Sequence, residues 1–171
     1  GWAATFPPPR PGHPPTLPDE DAILKLISEN LDPTNPSSLY VEVKQLQDAI
    51  KKLDYGTLAT IVGRYYAMDR DKRWDRIERA WRAIVLGEGR RAESVGDAIA
   101  AAYLEDETDE FITPTVLPAH HAMSSDSEVF FFNFRNDRPR ELSEALGLGE
   151  FKGFDRGEFN PVSLTTMTRY E

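Results

Sequence analysis

Nine of the thirteen prolines lie before residue 37, at Pro7, Pro8, Pro9, Pro11, Pro14, Pro15, Pro18, Pro33 and Pro36. Proline has no amide donor and a fixed φ, so a cluster of this kind resists helix and sheet alike. Residues 1–18 therefore read as an extended leader of polyproline-II character, suited either to a linker or to a ligand for a proline-binding module. Only Pro114, Pro118, Pro139 and Pro161 interrupt the rest. Regular, packed structure is expected mainly after residue 36.

The length of 171 residues suits one domain with a true core. The balance of 20 basic against 29 acidic side chains gives a net charge of −9. That argues against a non-specific nucleic-acid binder, which needs a basic excess to neutralise phosphates. The absence of cysteine excludes disulfides, zinc–thiolate sites, iron–sulfur clusters and thiol nucleophiles. No apolar run approaches the ~18 residues of a membrane span, and no basic-then-apolar signal opens the chain. A cytoplasmic protein is expected.

Asp19, Glu20 and Asp21 precede Ile23, Leu24, Leu26 and Ile27, which suggests a short helix whose acidic start suits the dipole. A turn follows over 32–36. Leu39, Val43, Leu46, Ile50 and Leu53 are spaced four, three, four and three, the stripe of an amphipathic helix. The uncharged run 57–62 predicts a strand buried on both faces. A long helix is expected from about Asp71, with Trp74, Ile77, Trp81, Ile84 and Val85 inward and Gly87 and Gly89 as its stop. Ser94 starts another helix. Residues 106–109 form an acidic loop, and 111–117 are ambiguous and partly extended. Residues 128–134 predict a strand, followed by a helix capped by Asn136 or Asp137 with Pro139 in its first turn. Residues 162–168 read as a last strand. This order implies an α/β layered architecture, a mostly parallel sheet flanked by helices, and three strands are few enough to suggest an incomplete domain.

In open α/β sheets, ligands bind beyond the carboxyl ends of strands. Two such ends here carry paired arginines: Arg64 and Arg70 after the first strand, Arg135 and Arg138 after the second, where they would share a face at a helix start. Arginine's planar fork fits carboxylate and phosphate bidentately. Converging, the four would hold a small, doubly charged anion. Pairing with Asp69, Asp71, Asp75 and Asp137 would instead leave them as surface ion pairs. Other candidates are weaker. His120 and His121 are adjacent in a loop, His13 lies in the leader, and neither metal-ligand spacing nor a GxSxG elbow is present. The acids Asp106, Glu107, Asp109 and Glu110 suit a solvated loop better than a hard-cation site.

The run Gly63-Arg64-Tyr65-Tyr66-Ala67-Met68-Asp69-Arg70-Asp71-Lys72-Arg73-Trp74-Asp75-Arg76 resembles the signature of cofactor-independent phosphoglycerate mutase. So do Ala83 to Gly89, Thr108-Asp109-Glu110-Phe111-Ile112, Phe131 to Arg138 and Thr165 to Tyr170, in the family's order. The resemblance runs from about Ser38 to the carboxyl end. It implies interconversion of 3-phosphoglycerate and 2-phosphoglycerate in glycolysis. The implied enzyme has a phosphatase-like domain with a serine nucleophile and two manganese ions, and an inserted domain that binds the glycerate. Residues 37–171 would be most of the inserted domain and 1–36 a proline-rich, divergent amino end. By motif position, Arg64, Arg70, Arg135 and Arg138 match the family's substrate arginines. The phosphatase-like domain would be a partner, the chain itself would bind no cofactor, and alone it would not catalyse the reaction. The family's acidic-arginine motif, of the form DGRD-x-PP, should precede Leu39, where this chain reads Asn30-Leu31-Asp32-Pro33-Thr34-Asn35-Pro36. An upstream strand with a substrate histidine has no counterpart, and neither Ser37 nor Ser38 matches the nucleophile. The alternative reading is a non-catalytic anion-binding or interaction module.

Overall fold

The computed structural model of the chain describes residues 4–5 and 39–170. The expected helix near Ile23 and turn over 32–36 lie outside those residues, as does most of the leader. Within the leader, Ala4–Thr5 (β1) does not stand apart: it pairs antiparallel with Thr57–Leu58 (β2).

The amphipathic stripe makes a helix over Leu39–Leu53 (α1). Its buried face carries Val43 and Ala49, while Leu53 lies exposed at the end. The run 57–62 does not form one strand. It divides at Ala59 into β2 and Thr60–Ile61 (β3), which belong to different sheets. Successive residues at the end of β3 face opposite ways, as extended backbone requires. Ile61 joins a core with Val43, Val95, Ile99, Ile112 and Leu117, and Val62 joins another with Tyr66, Ile77, Trp81, Leu142 and Leu146. This short segment therefore stitches two cores together.

A one-turn helix follows at Arg64–Ala67 (α2), then Trp74–Trp81 (α3). The single long helix expected from Asp71 begins later because residues 69–73 are held in a turn. It ends earlier as an α-helix, since Arg82–Leu86 widens into a π-helical turn. The widening releases carbonyls for other partners: Ile84 O accepts from His120 Nε2 at 2.8 Å, and Val85 O accepts from Met123 N at 2.9 Å. His120, expected in a bland loop, thus ties that loop to the helix end. Gly87 stops the helix at φ +70°, where a Cβ would lie 2.7 Å from His120 Nδ1.

Arg90–Arg91 (β4) was not anticipated. Ser94 caps Val95–Leu104 (α4), its side chain accepting from Asp97 N. The ambiguous stretch supplies a strand at Thr115–Val116 (β5). β5 lies between β3, antiparallel, and β4, parallel. Glu128–Phe131 (β6), Arg140–Gly147 (α5) and Ser163–Thr166 (β7) form a βαβ unit, with β6 and β7 parallel and α5 as the crossover. The expected α/β layering is present. Its pairing is mixed, because β5 returns head to tail against β3 while meeting β4 in the same sense. The strand expected over 128–134 is shorter: β6 stops at Phe131, and Phe130 and Phe134 are exposed at 52% and 69%. No described helix is long and apolar enough to cross a membrane.

Trp81 and Ile77 are fully buried, and Trp81 meets Phe154 and Phe159 edge-on at 5.5 and 5.2 Å. Ile77→Ala should cost about 2–5 kcal/mol by leaving a cavity between α3 and α5. Urea unfolding followed by tryptophan fluorescence measures it, and a loss near zero would mean this core is not close-packed.

Candidate functional site: an arginine seam between two loops

The first loop begins where β3 runs out. Gly63 N donates to Ile112 O at 2.8 Å, and Tyr65 N donates to Glu110 O at 3.0 Å. A Cβ on Gly63 would sit 2.5 Å from Glu110 O and 2.6 Å from Ile112 N. Only glycine permits so close an approach of backbones. That approach sets Arg64 beside Glu110, with Nη2 donating to Oε2 at 2.6 Å.

After Met68 the chain folds around a carboxylate. The Asp69 side chain is only 3% exposed. It accepts from the amides of Asp71 (2.9 Å) and Arg73 (3.0 Å), and from guanidinium nitrogens of Arg73 (2.7 Å) and Arg76 (3.4 Å). Burial pushes the Asp69 carboxyl up, but these amides and the Arg73 guanidinium outweigh it and hold the group below its ordinary value. On the other side of the turn, Lys72 adopts φ +59° and its amide donates to Glu141 Oε1 at 2.8 Å. Glu141 is buried. Its Oε2 has no partner, and burial raises its carboxyl, the Lys72 amide offsetting only part. Two buried carboxylates thus pin residues 69–73, and Arg70 is carried on that turn.

The second loop follows β6. Arg135 grips Asp137 with two nitrogens, Nε to Oδ1 at 2.7 Å and Nη2 to Oδ2 at 3.2 Å. Arg70 Nη1 reaches the same Oδ2 at 3.2 Å across 67 residues of sequence. Arg138 Nη1 donates to Met68 O at 3.2 Å. Asp137, expected as a helix cap, is instead the bridge between the loops. The helix starts after Pro139, and Arg135 and Arg138 lie in the loop ahead of it. Arg135, then Arg70, holds the Asp137 carboxyl down to about 2, and Arg64, then Arg138, lowers that of Glu110.

All four sequence-selected arginines therefore lie along one seam. Of the acids suggested as their partners, Asp137 pairs with Arg70 and Arg135, whereas Asp69 and Asp71 pair with Arg73. Beside the seam opens a cleft of about 860 Å³, with Arg64 and Met68 on one wall and residues 106–110 on the other. Three of its acids, Glu107, Asp109 and Glu110, are engaged. Glu107 takes Thr113 and Arg90, and Tyr103 OH donates to Asp109, which raises the phenol to about 12. Sequence reasoning missed Glu141, the pairing of Glu110 with Arg64 and the purpose of Asp69. Nothing in the residue types distinguishes a buried acid at the start of α5 from a solvated one. Among the described residues no three His, Asp or Glu side chains gather in a way that could hold a metal ion.

Residues 30–171 match the family model described as the BPG-independent PGAM N-terminus, PGAM being phosphoglycerate mutase. The chain belongs to this phosphoglycerate mutase family. It is 47% identical over 141 residues to the 2,3-bisphosphoglycerate-independent phosphoglycerate mutase of Clostridium perfringens, covering 80% of this chain and 27% of that protein. The corresponding enzyme of Myxococcus xanthus is 45% identical over 143 residues, with 81% and 28% covered. A crystal structure of Leishmania mexicana phosphoglycerate mutase, obtained at low cobalt concentration, superposes with a TM-score of 0.71 at 30% identity. It covers 77% of this chain, which in turn spans 26% of that one. The chain thus spans about a quarter of the length of the mutases it matches.

Acid stability of this chain should follow Asp69. Its carboxyl is held below the ordinary value. Its stabilisation is therefore complete above about pH 4 and is lost as pH falls through the lower folded value. Asp69→Asn is expected to cost about 1–3 kcal/mol near neutral pH and to flatten the loss below about pH 4. Urea titrations at both pH values check this, and an acid limb unchanged by the substitution would contradict it.

Proposed function

We propose that residues 37–171 are a substrate-binding domain of a cofactor-independent phosphoglycerate mutase, and that Arg64, Arg70, Arg135 and Arg138 hold 3-phosphoglycerate and 2-phosphoglycerate. The observation that carries this reading is the joining of the two arginine loops through Asp137 and Met68 O. It draws Arg70, Arg135 and Arg138 together, and Arg64 reaches them through Glu110, which lies in the field of Arg138, on a chain of net charge −9. Both isomers present a carboxylate and a phosphoryl group on three carbons. Forks recognise those two groups without depending on which hydroxyl carries the phosphoryl. A clamp of that kind keeps hold of the glycerate while it turns between phosphoryl transfers.

In this reading, the nucleophilic serine and the manganese ions belong to a phosphatase-like domain, which would supply the covalent step and the charge stabilisation. The residues of this chain bind, orient and neutralise. The setting would be glycolysis in the cytoplasm. The 47% identity to the Clostridium perfringens mutase supports the assignment, and the chain spans 27% of that protein.

Calorimetry with 3-phosphoglycerate tests the reading. Wild type should bind, and Arg135→Ala should bind about tenfold or more weakly, the cost of one charge-assisted contact. The purified segment should not interconvert the two isomers in a coupled assay. Absence of binding by wild type would refute the substrate-site assignment, and enzyme-like turnover would refute the division of labour.

A further inference from the structure

The seam holds two carboxylates of the chain's own, one for each pair of arginines. Glu110 takes Arg64 and lies in the field of Arg138. Asp137 takes Arg135 by two nitrogens and Arg70 by one. A carboxylate gripped by guanidiniums from two different loops presents the same chemistry as one anionic end of a small ligand. Arg135 has spent its Nε–Nη2 edge on Asp137, and that edge is the one a bidentate anion would use.

We propose that Glu110 and Asp137 are internal counter-anions, each occupying one lobe of a two-lobed anion site, and that the two anionic groups of the ligand enter by displacing them. This inference rests on the anion-binding role given to the four arginines above. Exposure separates these acids from the structural one. The Glu110 and Asp137 side chains are 39% and 30% exposed against 3% for Asp69, their arginine partners are half-exposed or more, and exposed ion pairs exchange at small cost. Asp69, buried with four donors, is not exchangeable in this way. Displacement also gives selectivity. A doubly anionic molecule replaces both internal carboxylates, whereas a singly anionic one leaves a lobe closed and a repelling charge beside it.

The test is calorimetry of 3-phosphoglycerate, with inorganic phosphate as a single-group probe, at low salt and neutral pH. Wild type is compared with Asp137→Asn, Glu110→Gln and a control, Glu88→Gln, which neutralises an exposed partner of Arg82 outside the seam. Each seam variant should bind 3-phosphoglycerate about two- to fivefold more tightly than wild type, while the control stays unchanged. Carboxyl NMR should show Asp137, at about 2 in the free chain, rising when 3-phosphoglycerate saturates the site. Weaker binding by the seam variants would overturn displacement, because the two acids would then be positioning the arginines. A gain equalled by Glu88→Gln would also overturn it, leaving net charge as the cause. In both cases the substrate-site reading stands. No binding of either probe by any protein refutes displacement and substrate site together.

Discussion

The buried Asp69 carboxylate is the interaction on which the rest of this structure depends. Its oxygens collect two backbone amides and two guanidiniums, and this lets the chain reverse between a one-turn helix and α3 without orphaned donors. The reversal brings Ile77 and Trp81 down onto α5 and, at the same place, holds Arg70 against the second loop. Core packing and site assembly share one anchor. Glu141 completes it from the opposite side through the Lys72 amide, and its unpartnered oxygen is the cost of placing an acid there.

A second constraint is steric. Gly63 admits the backbone of residues 110–112 to a distance no side chain allows, and that approach, rather than any loop flexibility, puts Arg64 next to Glu110. The seam is therefore built from closely packed backbone supports carrying long, exposed charged ends. Such a combination suits a ligand that must be held while it changes orientation: the supports fix where the charge is, and the long side chains follow the oxygens. The acidic surroundings are partly neutralised, because Glu107 is bound to Thr113 and Arg90, Asp109 to Tyr103 and Glu110 to Arg64.

Much of this was legible beforehand. The three–four spacing of Val43 and its neighbours, the Ser94 cap and the Gly87 stop each act over a few residues, so pattern alone locates them. The arginine pairs were legible as types at strand ends, and the long motif beginning at Gly63 pointed to the family. The misreadings share a cause. The run 57–62 looks like one strand until β1 and β5 compete for its halves. Asp137 has every local property of a helix cap, yet two arginines, one of them 67 residues away, claim its carboxylate. Residues 128–134 read as one strand, but it ends at Phe131, and Phe130 and Phe134 are exposed.

By itself, the sequence determined which residues could bear charge at the site and which segments could be helical, because side-chain chemistry and local periodicity are properties of single residues and near neighbours. Only the tertiary structure decided which acid meets which arginine, which acids are buried, and that two loops 67 residues apart become one seam. Those outcomes turn on desolvation and on distances between remote backbones, and neither quantity exists until the chain has packed.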